Sequence, residues 1–132
     1  MKKYLVCLIA CLAISTVFTS CEKEEESFDE TLLIGEWKGN ETIVGKVHEM
    51  HYKYTSDFKG LTWDATEDMT EEDGQKFTWS LKKSELTHIH VMEIVDGQPI
   101  TKIYKVTELT ASTLKYEETV NGTVVKYSYT KA

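Results

Sequence analysis

The sequence predicts an all-β domain over residues 31–132: an eight-stranded up-and-down antiparallel barrel, with short helices before strand 1 and between strands 3 and 4. Two observations carry this. Apolar and polar residues alternate in short runs from Ile34 onward, and turn residues interrupt them every 8 to 12 positions, the spacing of a sandwich or barrel. The links between runs are also short, which favours neighbouring strands joined by hairpins. A meander of eight strands removes its edges by closing, and a barrel of that size holds side chains or one small ligand.

The strands are expected as follows. Gly35 to Val44 places Trp37 and Ile43 on one face. Val47 to Phe58 aligns His48, Met50, Tyr52, Tyr54 and Phe58. Gly60 to Ala65 shows Leu61, Trp63 and Ala65, and Lys76 to Leu81 shows Phe77, Trp79 and Leu81. Glu85 to Val95 carries Leu86, His88, His90, Met92 and Ile94 on one side and Ile89, Val91 and Val95 on the other. Ile100 to Thr107 pairs Tyr104 with Val106, Thr113 to Val120 pairs Leu114 with Tyr116 and Val120, and Thr123 to Thr130 pairs Val125 with Tyr127 and Tyr129.

Asn121-Gly122 is the strongest hairpin signal, because both residues tolerate positive φ, and Asp96-Gly97 is a second. Lys82-Lys83-Ser84 and Thr110-Ala111-Ser112 are polar links of hairpin length. Thr66 is a cap for a short helix that Gly74 ends, and another short helix is expected over Asp29 to Leu33.

The N-terminus reads differently. Met1-Lys2-Lys3 precedes an apolar run of 15 residues, Tyr4 to Phe18, too short for the roughly 20 of a permanent membrane helix. With small residues before Cys21, residues 1–20 read as a cleaved signal peptide. Phe18-Thr19-Ser20-Cys21 resembles a lipobox, which implies a diacylglyceryl thioether on Cys21, with acyl chains such as palmitate, as the attachment to the membrane. Residues 21–30 form an acidic tether. Its Lys23 followed by Glu24, Glu25 and Glu26 resembles the surface-export signal of Bacteroidota lipoproteins, which implies an outer-membrane protein exposed at the cell surface.

Charge and cysteine content exclude several classes. The whole chain is at −7, and losing Lys2 and Lys3 takes it to −9, with no Arg anywhere. Nucleic-acid binding needs clustered positive charge and is not expected. Cys7 and Cys11 leave with the signal and Cys21 is consumed by lipid, so packing and sheet hydrogen bonds must hold the domain together without a disulfide.

A second resemblance enters at Gly35-Glu36-Trp37. A short helix followed by Gly-x-Trp at the start of strand 1 resembles the opening of lipocalins. Phe77 to Leu81, Leu86-Thr87, Tyr104 to Thr110 and Leu114 to Tyr116 are similar to the lipocalin-like domain of small Bacteroidota lipoproteins, and together these pieces span most of residues 31–132. The resemblance implies a calycin barrel in which Trp37 plugs the closed end. The Arg that the family sets over that Trp has no counterpart in a chain without Arg.

Candidate sites follow from the inward faces. Trp37, His48, Tyr52, Tyr54, Trp63, Trp79, His88, His90, Tyr104, Tyr116 and Tyr127 are the expected lumen lining, suited to a small hydrophobic or amphipathic ligand. So many inward phenols need hydrogen-bond partners, which favours a wet or ligand-holding lumen over a dry one. His88 and His90 point the same way on a strand and could share a metal with His48 or Glu41, yet no third ligand is fixed by spacing, so no metal or cofactor is assigned. The acidic stretch of Asp64, Glu67, Asp68, Glu71, Glu72 and Asp73 lacks EF-hand spacing and reads as a solvated loop shaping the barrel mouth. No nucleophile elbow, thiol or phosphate loop appears, and no enzyme is expected. The expectation is thus an anchored ligand-binding barrel. The alternative is a dry barrel that serves as a protein- or glycan-interaction module in the cell envelope.

Overall fold

The computed structural model describes residues 26–132, the side chains of residues 92–94 excepted. The expected signal peptide, the expected lipidation site Cys21 and most of the expected tether lie outside the described residues. The strands are β1 (Gly35–Ile43), β2 (Lys46–Tyr54), β3 (Lys59–Asp64), β4 (Gln75–Lys82), β5 (Glu85–Val95), β6 (Gln98–Leu109), β7 (Thr113–Val120) and β8 (Thr123–Lys131). Each pairs antiparallel with its neighbour, and β1 pairs with β8, so the barrel is closed in sequence order.

The expected helices are three-residue 3₁₀ turns instead, over Glu30–Leu32, Ala65–Glu67 and Glu71–Asp73. Asp64 rather than Thr66 caps the second, and Thr70 opens the third with a capping box closed by Asp73. Gly74 ends that turn in an extended conformation, so no helix runs the length of the link. With acidic side chains crowded along Glu67 to Asp73 and no apolar stripe, there is nothing to bury against the barrel over several turns.

Alternation places Trp37, Tyr52, Tyr54, Phe77, Trp79, Leu81, Leu86, Tyr104, Val106, Leu114, Tyr116 and Tyr129 in one buried cluster. Burying each large ring contributes about 1.5–3 kcal/mol. The outer wall carries Lys38, Lys53, Lys76, Lys82, Lys105, Lys115 and Lys126, the reverse of a lipid-embedded barrel with its apolar wall.

The third strand corrects the sequence reading. Tyr52 pairs with Thr62 and Tyr54 with Gly60, so Gly60, Thr62 and Asp64 face inward. Trp63 pairs with His51 and stacks on its ring at 5.3 Å, outside the barrel. Trp63 is nevertheless buried, because residues 65–74 fold back over this wall. Glu49 N–H donates to Thr66 Oγ1 at 2.7 Å, and Met69 N–H donates to the Asp64 carbonyl. Gly60 has a packing reason: a Cβ there would run into the Phe77 ring inside the barrel. Phe58 is also not a strand residue. It sits at φ 64° in the β2–β3 turn, half-exposed, with its ring 5.0 Å from that of Trp79 at the closed end.

The turns follow the expected chemistry at Asp96-Gly97 (φ 54° and 79°) and Asn121-Gly122 (φ 51° and 80°). Val44-Gly45 adopts the same pair of left-handed conformations (φ 50° and 76°), with a β-branched residue where Asn or Asp is favoured.

Candidate functional site

The barrel has a sealed end and an open end. At the sealed end Leu33 and Trp37 are fully buried, and Trp37 Nε1–H donates to the Leu33 carbonyl at 2.8 Å. Lys131, the partner of Trp37 across the β1–β8 seam, places Nζ 4.2 Å from the centre of that ring. Its ammonium donates to the Ile34 carbonyl at 3.0 Å, tying the entering chain to the last strand. A lysine therefore occupies the position over Trp37 for which the sequence offered no Arg. Its place two residues beyond Tyr129 on the inward face was the signal.

The middle of the lumen is filled with rings. Phe77 stacks on His88 at 4.5 Å, Tyr104 lies 4.4 Å from Tyr116, and Tyr52 meets Tyr129 edge-on at 5.4 Å. Trp79 and Tyr54 meet at 5.6 Å. His90 is buried beside the same Phe77 ring. Among the described cavities, each is lined mainly by outward residues. One of about 420 Å³ lies on the outer wall of β2, β3 and β4, between Lys53, Lys59, Leu61 and Lys76.

The buried phenols are satisfied within the barrel. Tyr52 and Tyr129 both donate to Glu41 Oε2, the former at 3.1 Å, and Tyr127 donates to Glu118 Oε1 at 3.0 Å. Tyr54 Oη lies 2.8 Å from His88 Nε2. With the phenol donating to Nε2, the single proton of the neutral imidazole falls on Nδ1, which has no hydrogen-bond partner among the described residues. Burial, then the neighbouring His90 and Lys102, hold the His88 pKa well below the usual histidine value. Burial likewise pushes Tyr52, Tyr54, Tyr116 and Tyr129 well above the usual phenol value. The phenols and His88 thus stay uncharged within an aromatic core that also admits the Glu41 carboxyl group.

Of the expected lining, Trp37, Tyr52, Tyr54, Trp79, His88, His90, Tyr104 and Tyr116 share this packed interior, Tyr127 is half-buried nearer the mouth, and Trp63 is outside. His48 stands apart from His88 and His90. Its Nδ1 is 2.5 Å from Asp64 Oδ2 at the mouth.

The acidic stretch lies at the mouth as expected, but the aliphatic rim around it was not anticipated. Ile43, Val44, Val47, Val95, Val120 and Val124 are all exposed, and all belong to the three hairpins that close this end. Val44 is 99% exposed at the tip of the first. The fourth connection at the same end is the acidic stretch 65–74. The rim is therefore aliphatic on three sides and anionic on one, whereas the chain enters β1 at the sealed end.

No protein-family model, no curated protein and no solved structure matches the chain. The chain's class is accordingly the one its topology defines, a closed eight-stranded antiparallel β-barrel.

Proposed function

We propose that this is a lipid-anchored envelope protein, held to the outer membrane through Cys21, whose lipocalin-like barrel acts as a rigid scaffold presenting an apolar rim to a partner protein. The observation that carries this reading is the rim: six exposed aliphatic residues gathered at one end of a barrel whose middle is packed with rings. Scattered surface aliphatics need no explanation, but a gathered patch marks an interaction site. A tether entering at the opposite, sealed end would direct the rim away from the membrane. The partner's contact face would be apolar with a basic margin, to meet the acidic connection.

The carrier reading stands second. It is favoured by Met50, Ile100, Val125 and Tyr127, half-buried beneath the rim beside the carboxylates of Glu41 and Glu118. A small amphipathic molecule would seat there rather than in the ring-packed middle.

Native mass spectrometry of the lipidated protein, extracted from the source cell's envelope in mild detergent, tests both. A co-purifying protein that is lost from a Val44→Asn, Val124→Asn variant supports the rim. A small-molecule adduct that survives those substitutions moves the function to the upper lumen. A bare chain refutes both.

A further inference from the structure

We propose that His48, Asp64 and Glu67 form a binding site for a divalent transition-metal ion, zinc in the first instance, at the mouth of the barrel. The three donors come from three elements: β2, β3 and the 3₁₀ turn Ala65–Glu67. Their ligand atoms all lie within 4.8 Å of one another. His48 Nδ1 is the common point, 2.5 Å from Asp64 Oδ2 and 3.8 Å from Glu67 Oε2. The side chains of His48 and Asp64 are only 12% and 15% exposed, whereas Glu67 closes the group from the solvent side at 48%.

The surroundings aim these donors. Asp64 Oδ1 accepts from Thr66 N–H at 3.0 Å, which leaves Oδ2 to face the imidazole. Thr66 Oγ1 in turn accepts from Glu49 N–H on β2, so the turn that carries Glu67 is fixed to the strand that carries His48. Such outer hydrogen bonds orient the ligands of known metal sites. Asp64 pairs with Met50, which puts it and His48 on the inward side of adjacent strands.

One imidazole nitrogen with two carboxylate oxygens is a donor set suited to zinc, and three protein ligands leave a fourth position for water or a partner's side chain. Calcium and magnesium take oxygen ligands and would be poorly served by the imidazole. Two carboxylates balance a divalent charge. The group's competitor is Lys46, whose Nζ lies 2.9 Å from Glu67 Oε2 but is 61% exposed and free to swing into solvent. His88 and His90 contribute nothing, being packed among rings deeper in the barrel.

This inference is independent of the rim. Its test is equilibrium dialysis of the full chain in detergent against zinc and, separately, calcium, with cobalt absorption as a readout of ligand geometry. The expected result is one zinc per chain, little calcium, and visible cobalt bands of a nitrogen- and oxygen-ligated ion. His48→Gln and Asp64→Asn should each abolish binding while retaining the wild-type circular dichroism and melting curve. Lys46→Ala should tighten binding, and Glu72→Gln, outside the group, should leave it unchanged. Absence of stoichiometric zinc binding, or zinc bound equally by His48→Gln, overturns the proposal and leaves a hydrogen-bonded pair that joins β2 to β3.

Discussion

Val44→Asn should make the protein more stable and less functional at once. Val44 holds φ 50° at the tip of the β1–β2 hairpin, with Gly45 following at φ 76°. A left-handed conformation costs an ordinary L-residue about 1–2 kcal/mol, and a β-branched side chain is among the least tolerant. Asn accepts that conformation and, followed by Gly, gives the favoured hairpin turn. Val44 is 99% exposed, so the substitution forfeits no burial. The net expectation is a gain of about 1 kcal/mol, or roughly 4–8 °C in melting temperature for a domain of this size. Thermal and urea unfolding followed by tryptophan fluorescence would measure it, with Val44→Gly as a control that relieves φ but loosens the unfolded chain. An unchanged or lower melting temperature for Val44→Asn would refute the strain argument. If stability rises and partner retention falls, a strained valine is kept at the tip for what it touches, in line with strain gathering at functional positions.

Three further outcomes are expected. The raised phenols keep their protons in the folded barrel while the unfolded chain loses them near pH 10, so stability present below about pH 10 is lost as pH rises. Absorbance near 295 nm should show Tyr52, Tyr54, Tyr116 and Tyr129 ionising together with unfolding, and independent ionisation near pH 10 would contradict their burial in a packed interior. His88 has the opposite sense: its folded pKa is depressed, so stability is full above about pH 6.5 and falls below it by up to about 1.4 kcal/mol per unit, a slope that urea titrations should find missing in His88→Gln. Lys131→Met keeps the stem but removes the cation over Trp37 and the carbonyl contact, and should cost about 1–2 kcal/mol that Lys131→Arg largely restores on thermal melts.

The architecture was legible because most strands have a single covered face, so period-2 alternation reports the lumen directly. The third strand broke that link. Leu61 and Trp63 form its apolar side, yet they are covered from outside by residues 65–74, while Gly60 and Thr62 face the rings within. Alternation reveals which face is covered, not what covers it. Gly60 was the available clue, since a glycine within a strand often marks a close approach, in this case of Phe77. The sealed end was half legible: Trp37 from its setting, Lys131 only from its parity with Tyr127 and Tyr129. His48, Asp64 and Glu67 converge only once β2 and β3 are in register, a relation that spacing along the chain does not encode. The rim was half legible: Asn121-Gly122 and Asp96-Gly97 read as turns, but Val44-Gly45 did not, because a β-branched residue is not expected at positive φ.

The seam between the first and last strands carries a consequence for how the molecule forms. It is short, with two paired positions, and Trp37 meets Lys131 across 94 intervening steps of chain, whereas every other pairing joins strands adjacent in sequence. Local hairpins assemble quickly, but contacts of such separation must wait for loop-closure entropy to be met. Until β8 arrives the sheet is an open ribbon with β1 and β7 as bare edges, each a template for pairing with another chain. The barrel's solubility during folding therefore rests on its last nine-residue strand, and a variant that keeps Trp37 as its single tryptophan would report by fluorescence the moment the ring closes.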